Sequence, residues 1–121
     1  IQVLVVDDST FMRKSLSAML TSDHRIAVAG MARNGEEALQ QVKALKPDIV
    51  TMDVEMPGMN GIDLIKNIRS NDKHKFTPII VLTTESETAK QDEGKNAGAT
   101  AWLVKPFTPE KLKETVHKVV G

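Results

Sequence analysis

Three carboxylates, one hydroxyl and one ammonium stand where apolar runs end, and this placement is the first chemical signal in the chain. Asp7 and Asp8 close Val3-Leu4-Val5-Val6, Asp53 closes Ile49-Val50-Thr51-Met52, Thr83 closes Ile79-Ile80-Val81-Leu82, and Lys105-Pro106 closes Trp102-Leu103-Val104. Crowded carboxylates repel and raise one another's pKa values unless cations intervene. Lys105 supplies one positive charge and a divalent ion would supply two, which together balance the three acids. Oxygen ligands with no neighbouring Cys or His suit a hard ion. Mg²⁺ fits best, since it keeps several waters and uses only one or two carboxylates plus phosphate oxygens. The charge count predicts a metal-dependent phosphate site.

Groups so far apart in sequence converge only if the apolar runs are parallel strands, whose carboxyl ends share one edge of the sheet. The order alternates strand and helix five times with turn signals between, which predicts an α/β protein with a parallel sheet covered on both faces. The first helix is expected to start after Ser9 or Thr10 and to run to about Ser22, with Met12, Leu16, Met19 and Leu20 as its apolar stripe. Strand two is read as Ile26 to Gly30. Asn34-Gly35 with Glu36 and Glu37 opens the next helix, whose core face is Ala38, Leu39, Val42 and Leu45, and Pro47 stops it. A third helix follows Gly61, with Ile62, Leu64, Ile65 and Ile68 inward, and ends near Asn71. Glu87 to Ala97 reads as a thinly packed helix with only Ala89 and Ala97 apolar, stopped at Gly98 in a left-handed conformation. The last helix takes Thr108 as cap and Pro109 as first residue, with Leu112, Val116, Val119 and Val120 on one side.

A length of 121 residues suits a single domain over 1–121. Acids and bases balance at 16 each, which argues against the basic footprint of a nucleic-acid binder and against a polybasic membrane anchor. Cysteine is absent, so neither disulfides nor thiolate metal sites arise. No apolar run approaches the ~20 residues that span a bilayer, and a cytoplasmic protein is expected. His24, His74 and His117 have no second ligand at metal spacing and are expected to be solvated. Met59 is the methionine expected to be exposed.

Asp7-Asp8-Ser9, Asp53 with Met56-Pro57 and Gly61 beyond it, Thr83-Thr84-Glu85, and Lys105-Pro106-Phe107 together resemble the receiver domain of two-component response regulators, of the CheY-like chemotaxis kind. The resemblance implies a doubly wound (βα)5 fold of flavodoxin/CheY type with strand order 2-1-3-4-5. It implies that Asp53 accepts a phosphoryl group from a histidine kinase, CheA-like in a chemotaxis pathway. Asp7, Asp8, Asp53 and the backbone carbonyl of Glu55 would hold Mg²⁺, with Asp7 acting mostly through a coordinated water. Lys105 and Thr83 would each hold a phosphoryl oxygen, and a cis Lys105-Pro106 bond is expected. Thr83 and Trp102 would form the switch, with Trp standing where Tyr or Phe is commoner, and Glu55 and Glu85 would tune phosphoryl lifetime. The same resemblance implies a signalling module that catalyses only its own phosphorylation and dephosphorylation. It would be a monomer whose partner surface comprises the helix from Glu87 to Ala97, the fifth strand and the outer face of the last helix.

Other readings stay open at the level of sequence. Asp8 alone could be only a helix cap, and Trp102 could simply cover the sheet edge. Asp53-Val54-Glu55-Met56-Pro57 resembles the receivers of chemotaxis methylesterases, whereas Thr83 to Phe107 resembles stand-alone chemotaxis regulators. The chain could therefore be the amino-terminal receiver of a larger regulator, a methylesterase or a transcription factor. A Mg²⁺-dependent phosphatase of the haloacid-dehalogenase type would need an Asp-x-Asp arrangement after strand one, which Asp7-Asp8 does not match. A flavodoxin-like FMN binder would need a Ser/Thr/Gly-rich first loop, and acids stand there instead.

Overall fold

The computed structural model describes residues 1–53, 61–71, 74, 77–83 and 98–120. The strands are β1 (Gln2–Val6), β2 (Ala27–Ala32), β3 (Ile49–Asp53), β4 (Ile79–Thr83) and β5 (Ala101–Val104), and the helices are α1 (Thr10–Thr21), α2 (Gly35–Leu45), α3 (Gly61–Arg69) and α4 (Pro109–Val120). All four strand pairings are parallel, and the order across the sheet is β2-β1-β3-β4-β5. The doubly wound sheet expected from the resemblance is the one observed.

Alternation along the strands divides the core into two layers. Leu4, Val6, Val50, Met52, Ile79 and Val81 face one side, where they meet Ala38 and Val42 of α2 and Leu64, Ile65 and Ile68 of α3. Val3, Val5, Ile49, Ile80, Leu82 and Leu103 face the other, against Leu16 and Leu20 of α1 and Leu112 and Val116 of α4. Because both faces are covered, β3 and β4 are buried at every position, which is why they read as unbroken apolar runs. Each fully buried Leu or Ile contributes about 2 kcal/mol through apolar burial. Truncating Leu16, which is 0% exposed, would cost about 3 kcal/mol.

The capping residues act as the sequence implies. Ser9 accepts from the Met12 amide at 3.2 Å, Asn34 Oδ1 from the Glu37 amide at 2.8 Å, and Thr108 Oγ1 from the Lys111 amide at 3.1 Å. Lys46 closes α2 in the left-handed region at φ 49, its amide bonded to Val42 O, because Pro47 disfavours a further helical residue before it. Gly98 has φ +112, in the region that favours glycine. The helix read from Glu87 to Ala97 lies outside the described residues.

Four details differ from the sequence reading. β2 runs from Ala27 to Ala32, later than Ile26 to Gly30, because the Ile26 amide is engaged in a turn with Asp23 O while the strand continues alongside β1 to Ala32. Leu45 and Val120, assigned to helix core faces, are 42% and 36% exposed, each being the last residue of its helix. His74 is buried at 5% exposure. His117 is bonded to Asp23, Nε2 to Oδ2 at 2.6 Å, so neither histidine is simply solvated.

Candidate functional site

Strand order reverses between β1 and β3, and the crevice of a doubly wound sheet opens at the carboxyl ends of the strands there. Asp7 and Asp8 follow β1 and Asp53 ends β3, so the topology alone brings the three acids together. One carboxylate oxygen from each lies within 4.8 Å of the others. Asp7 and Asp53 are buried and Asp8 is exposed, which leaves the cluster open to water on one side. Lys105 reaches in from the end of β5, its Nζ 3.5 Å from Asp53 Oδ2 and 4.0 Å from Asp7 Oδ2. The Lys105 amide donates to Thr83 O at 2.7 Å, which ties the ends of β4 and β5 together, and the Lys105–Pro106 peptide is cis.

Strand alternation sorts these residues by face. Asp7 continues the Val3, Val5 row and Asp53 the Ile49 row, both on the side of α1 and α4. Thr83 continues the Ile79, Val81 row on the side of α2 and α3, and Trp102 packs against that same layer. In the ladder Val81 pairs with Trp102 and Thr83 with Val104, so Thr83 and Trp102 are neighbours on adjoining strands and on one face. Trp102 is partly buried, and its Nε1 is buried without a hydrogen-bond partner. A buried indole N–H usually finds a partner, so this donor is an exception.

The Asp7 carboxyl lies above the usual carboxylate range, chiefly because burial penalises its charge. The Ser9 amide, donating to Oδ1 at 2.9 Å, opposes that shift; repulsion from Asp53 adds to it, Lys105 opposes it and Asp8 adds a little more. Asp7 Oδ2 is buried and accepts no hydrogen bond. A buried carboxylate oxygen in that state is costly unless something cationic completes it. Three oxygen donors, one of them open to water, with such an oxygen aimed among them, fit a hard divalent ion such as Mg²⁺. Glu55 and Glu85 lie outside the described residues, as do Met56, Pro57 and Met59.

Arg69, which the sequence reading passed over, holds β5 in place. Its guanidinium donates to Gly98 O at 3.0 and 2.9 Å, to His74 O at 3.2 Å and to Thr77 O. The nearby Thr100 hydroxyl accepts from the Ile79 amide, so the segment leading into β5 is fixed against both α3 and β4. A basic residue in the last turn of a helix was the only sequence signal for it.

The model of the response regulator receiver domain matches residues 3–117. The chain belongs to this family. The receiver is 47% identical over 118 residues to the chemotaxis protein CheY of Thermotoga maritima, a match covering 98% of this chain and 96% of that protein. It is 54% identical over 85 residues to a protein-glutamate methylesterase/protein-glutamine glutaminase of Bacillus licheniformis, covering 70% of this chain and 24% of the enzyme. Among solved structures, Vibrio cholerae CheY4 superposes with a TM-score of 0.90 at 43% identity, covering 98% of this chain and 97% of that one. The receiver spans about a quarter of the length of that methylesterase and almost all of the stand-alone CheY. The chain is thus similar both to a CheY and to the receiver-length part of a methylesterase. The molecule is thus a receiver domain of a two-component system, a signalling domain with an acidic cluster able to hold a divalent cation. Among the described residues no helix is long and apolar enough to cross a membrane.

Proposed function

We propose that Asp53 is the phosphoacceptor of this receiver, and that the single feature carrying the assignment is the Lys105 ammonium 3.5 Å from its carboxylate beside two further acids. In the transfer, an Asp53 oxygen attacks phosphorus in line, the bond from phosphorus to the donor imidazole breaks, and an acyl phosphate forms on Asp53. Positioning and charge neutralisation carry most such transfers. Lys105 holds one phosphoryl oxygen, and the Thr83 hydroxyl donates to another. Asp7, Asp8, Asp53 and the Glu55 carbonyl would hold Mg²⁺, which would supply positive charge against the phosphoryl oxygens. Glu55 and Glu85 set how long the phosphoryl group survives.

Trp102 and Thr83, neighbours on one face, form the switch: once Thr83 turns towards the phosphoryl group, the indole turns inward. The partner surface comprises Glu87 to Ala97, β5 and the outer face of α4. A groove of about 470 Å³ between β5 and α4, with Lys111, Glu114 and Lys118 on its rim, supports that part of the reading. The phosphodonor is a CheA-like histidine kinase, the pathway is chemotaxis, the protein acts in the cytoplasm, and residues 1–121 work as one monomeric domain. A second reading, the amino-terminal receiver of a larger methylesterase, is favoured by relatives of which this chain spans 24% to 34%. Incubation with acetyl phosphate and Mg²⁺ followed by intact mass tests the proposal. One added phosphoryl group, lost in Asp53→Asn and with EDTA, is expected, and a gain that persists in Asp53→Asn overturns it.

A further inference from the structure

Arg13 occupies a position that helix electrostatics disfavours. It is the fourth residue of α1, whose first turn contains no acid, so its cation lies against the positive end of the helix. What it gains there is a fork: Nη1 donates to the Asp7 carbonyl at 2.8 Å and Nη2 to Thr10 Oγ1 at 3.0 Å. The Asp7 amide is meanwhile held by Ala32 O at 3.0 Å, and Asp7 Oδ1 by the Ser9 amide at 2.9 Å. Of the four polar groups of Asp7, three are therefore tied down, and only the buried Oδ2 is left without a hydrogen bond.

The carbonyl that Arg13 grips shares a rigid plane with the Asp8 amide. Fixing that plane limits where the Asp7 and Asp8 Cα atoms, from which both carboxylates project, can sit. We propose that Arg13 is a positioning residue for the cation site, aligning the Asp7 and Asp8 carboxylates through the peptide between them. The inference rests on the reading of this cluster as a divalent-cation site. Groups that orient ligands in this way change metal affinity by about tenfold or more when lost.

Arg13 also carries a positive charge, and that alone would act in the opposite direction: a neighbouring cation weakens Mg²⁺ binding, so its removal tightens it. Alignment and charge therefore make opposed forecasts. Arg13→Lys keeps the charge but loses the planar fork. Arg13→Gln loses the charge as well. Thr10→Val leaves the charge and removes only the second anchor of the fork.

The test is calorimetric titration of Mg²⁺ into the whole chain for the wild type and these three variants, with hydrogen exchange at the Ser9 amide in Mg²⁺-free protein. Expected are about tenfold weaker binding in Arg13→Lys, weaker binding in Arg13→Gln, a smaller loss in Thr10→Val, and faster Ser9 exchange with the rest of the sheet unchanged. Wild-type affinity in Arg13→Lys together with tighter binding in Arg13→Gln would reduce Arg13 to a bystander charge and overturn the proposal. If Arg13→Lys does not fold, Thr10→Val decides, and an unchanged affinity there counts against alignment. A wild-type chain that takes up no Mg²⁺ would overturn the cation-site reading itself and this inference with it.

Discussion

Lys105 Nζ lies 3.5 Å from Asp53 Oδ2 and 4.0 Å from Asp7 Oδ2, so one ammonium faces two of the site's acids. The ammonium offsets one of the site's three negative charges and competes with a divalent ion for the same oxygens. Replacing Lys105 with Met should therefore tighten Mg²⁺ binding severalfold, read by calorimetry. The same change should slow phosphorylation by acetyl phosphate by about two orders of magnitude, through loss of charge aimed at the phosphoryl oxygens. Weaker Mg²⁺ binding in Lys105→Met would contradict this account of the charge balance.

Asp7 carries the cost of the metal-free site. Its raised pKa means that the folded state disfavours the ionised form, so the carboxylate destabilises the protein near neutral pH and the penalty fades as pH falls and the group protonates. Asp7→Asn keeps an oxygen for the Ser9 amide and removes the charge. In EDTA at pH 7 it should be more stable than the wild type by about 1 kcal/mol in urea unfolding, while its Mg²⁺ affinity drops.

How much of this was legible in the sequence follows from the kind of information each residue needs. Strand ends and the caps at Ser9, Asn34 and Thr108 depend on near neighbours, and they were readable. The cluster of Asp7, Asp8, Asp53 and Lys105 was readable because strand direction alone brings their ends together. The contacts of Arg69 with Gly98, and of His117 with Asp23, join residues far apart in the chain and not at strand ends. No local pattern announces such pairs. The boundary of β2 was misplaced for a related reason: Ile26 is apolar and buried, but its amide belongs to a turn.

Arg69 is partly buried and has no carboxylate partner among the described residues, and burial lowers its pKa. Its contribution comes from the carbonyls it satisfies, Gly98 O, His74 O and Thr77 O, each of which would lose its guanidinium donor in Arg69→Met. A loss of about 2–3 kcal/mol is expected, since hydrogen bonds to a charged group are among the stronger ones. Urea unfolding measures it, and a loss below about 0.5 kcal/mol, the range of ordinary surface changes, would refute the clamp.

Asp23 links the end of α1 to α4. The Arg25 guanidinium, and after it His117, hold its carboxyl well below the usual range. A carboxyl that binds fewer protons folded than unfolded stabilises fully above its ordinary value of 3.8, and loses that effect as pH falls towards its lowered folded value. Asp23→Asn should therefore have a lower Tm than the wild type at pH 6, and the difference should shrink on acidification below that ordinary value. A difference that grows on acidification would contradict the pairing.

The central claim is that the phosphoryl group resides on Asp53 and on no other acid of the cluster. Borohydride reduces an aspartyl phosphate to homoserine, which marks the acceptor in a peptide map after treatment with acetyl phosphate and Mg²⁺. The account predicts homoserine at position 53 alone. Homoserine at position 7 or 8, with Asp53 unmodified, would contradict it.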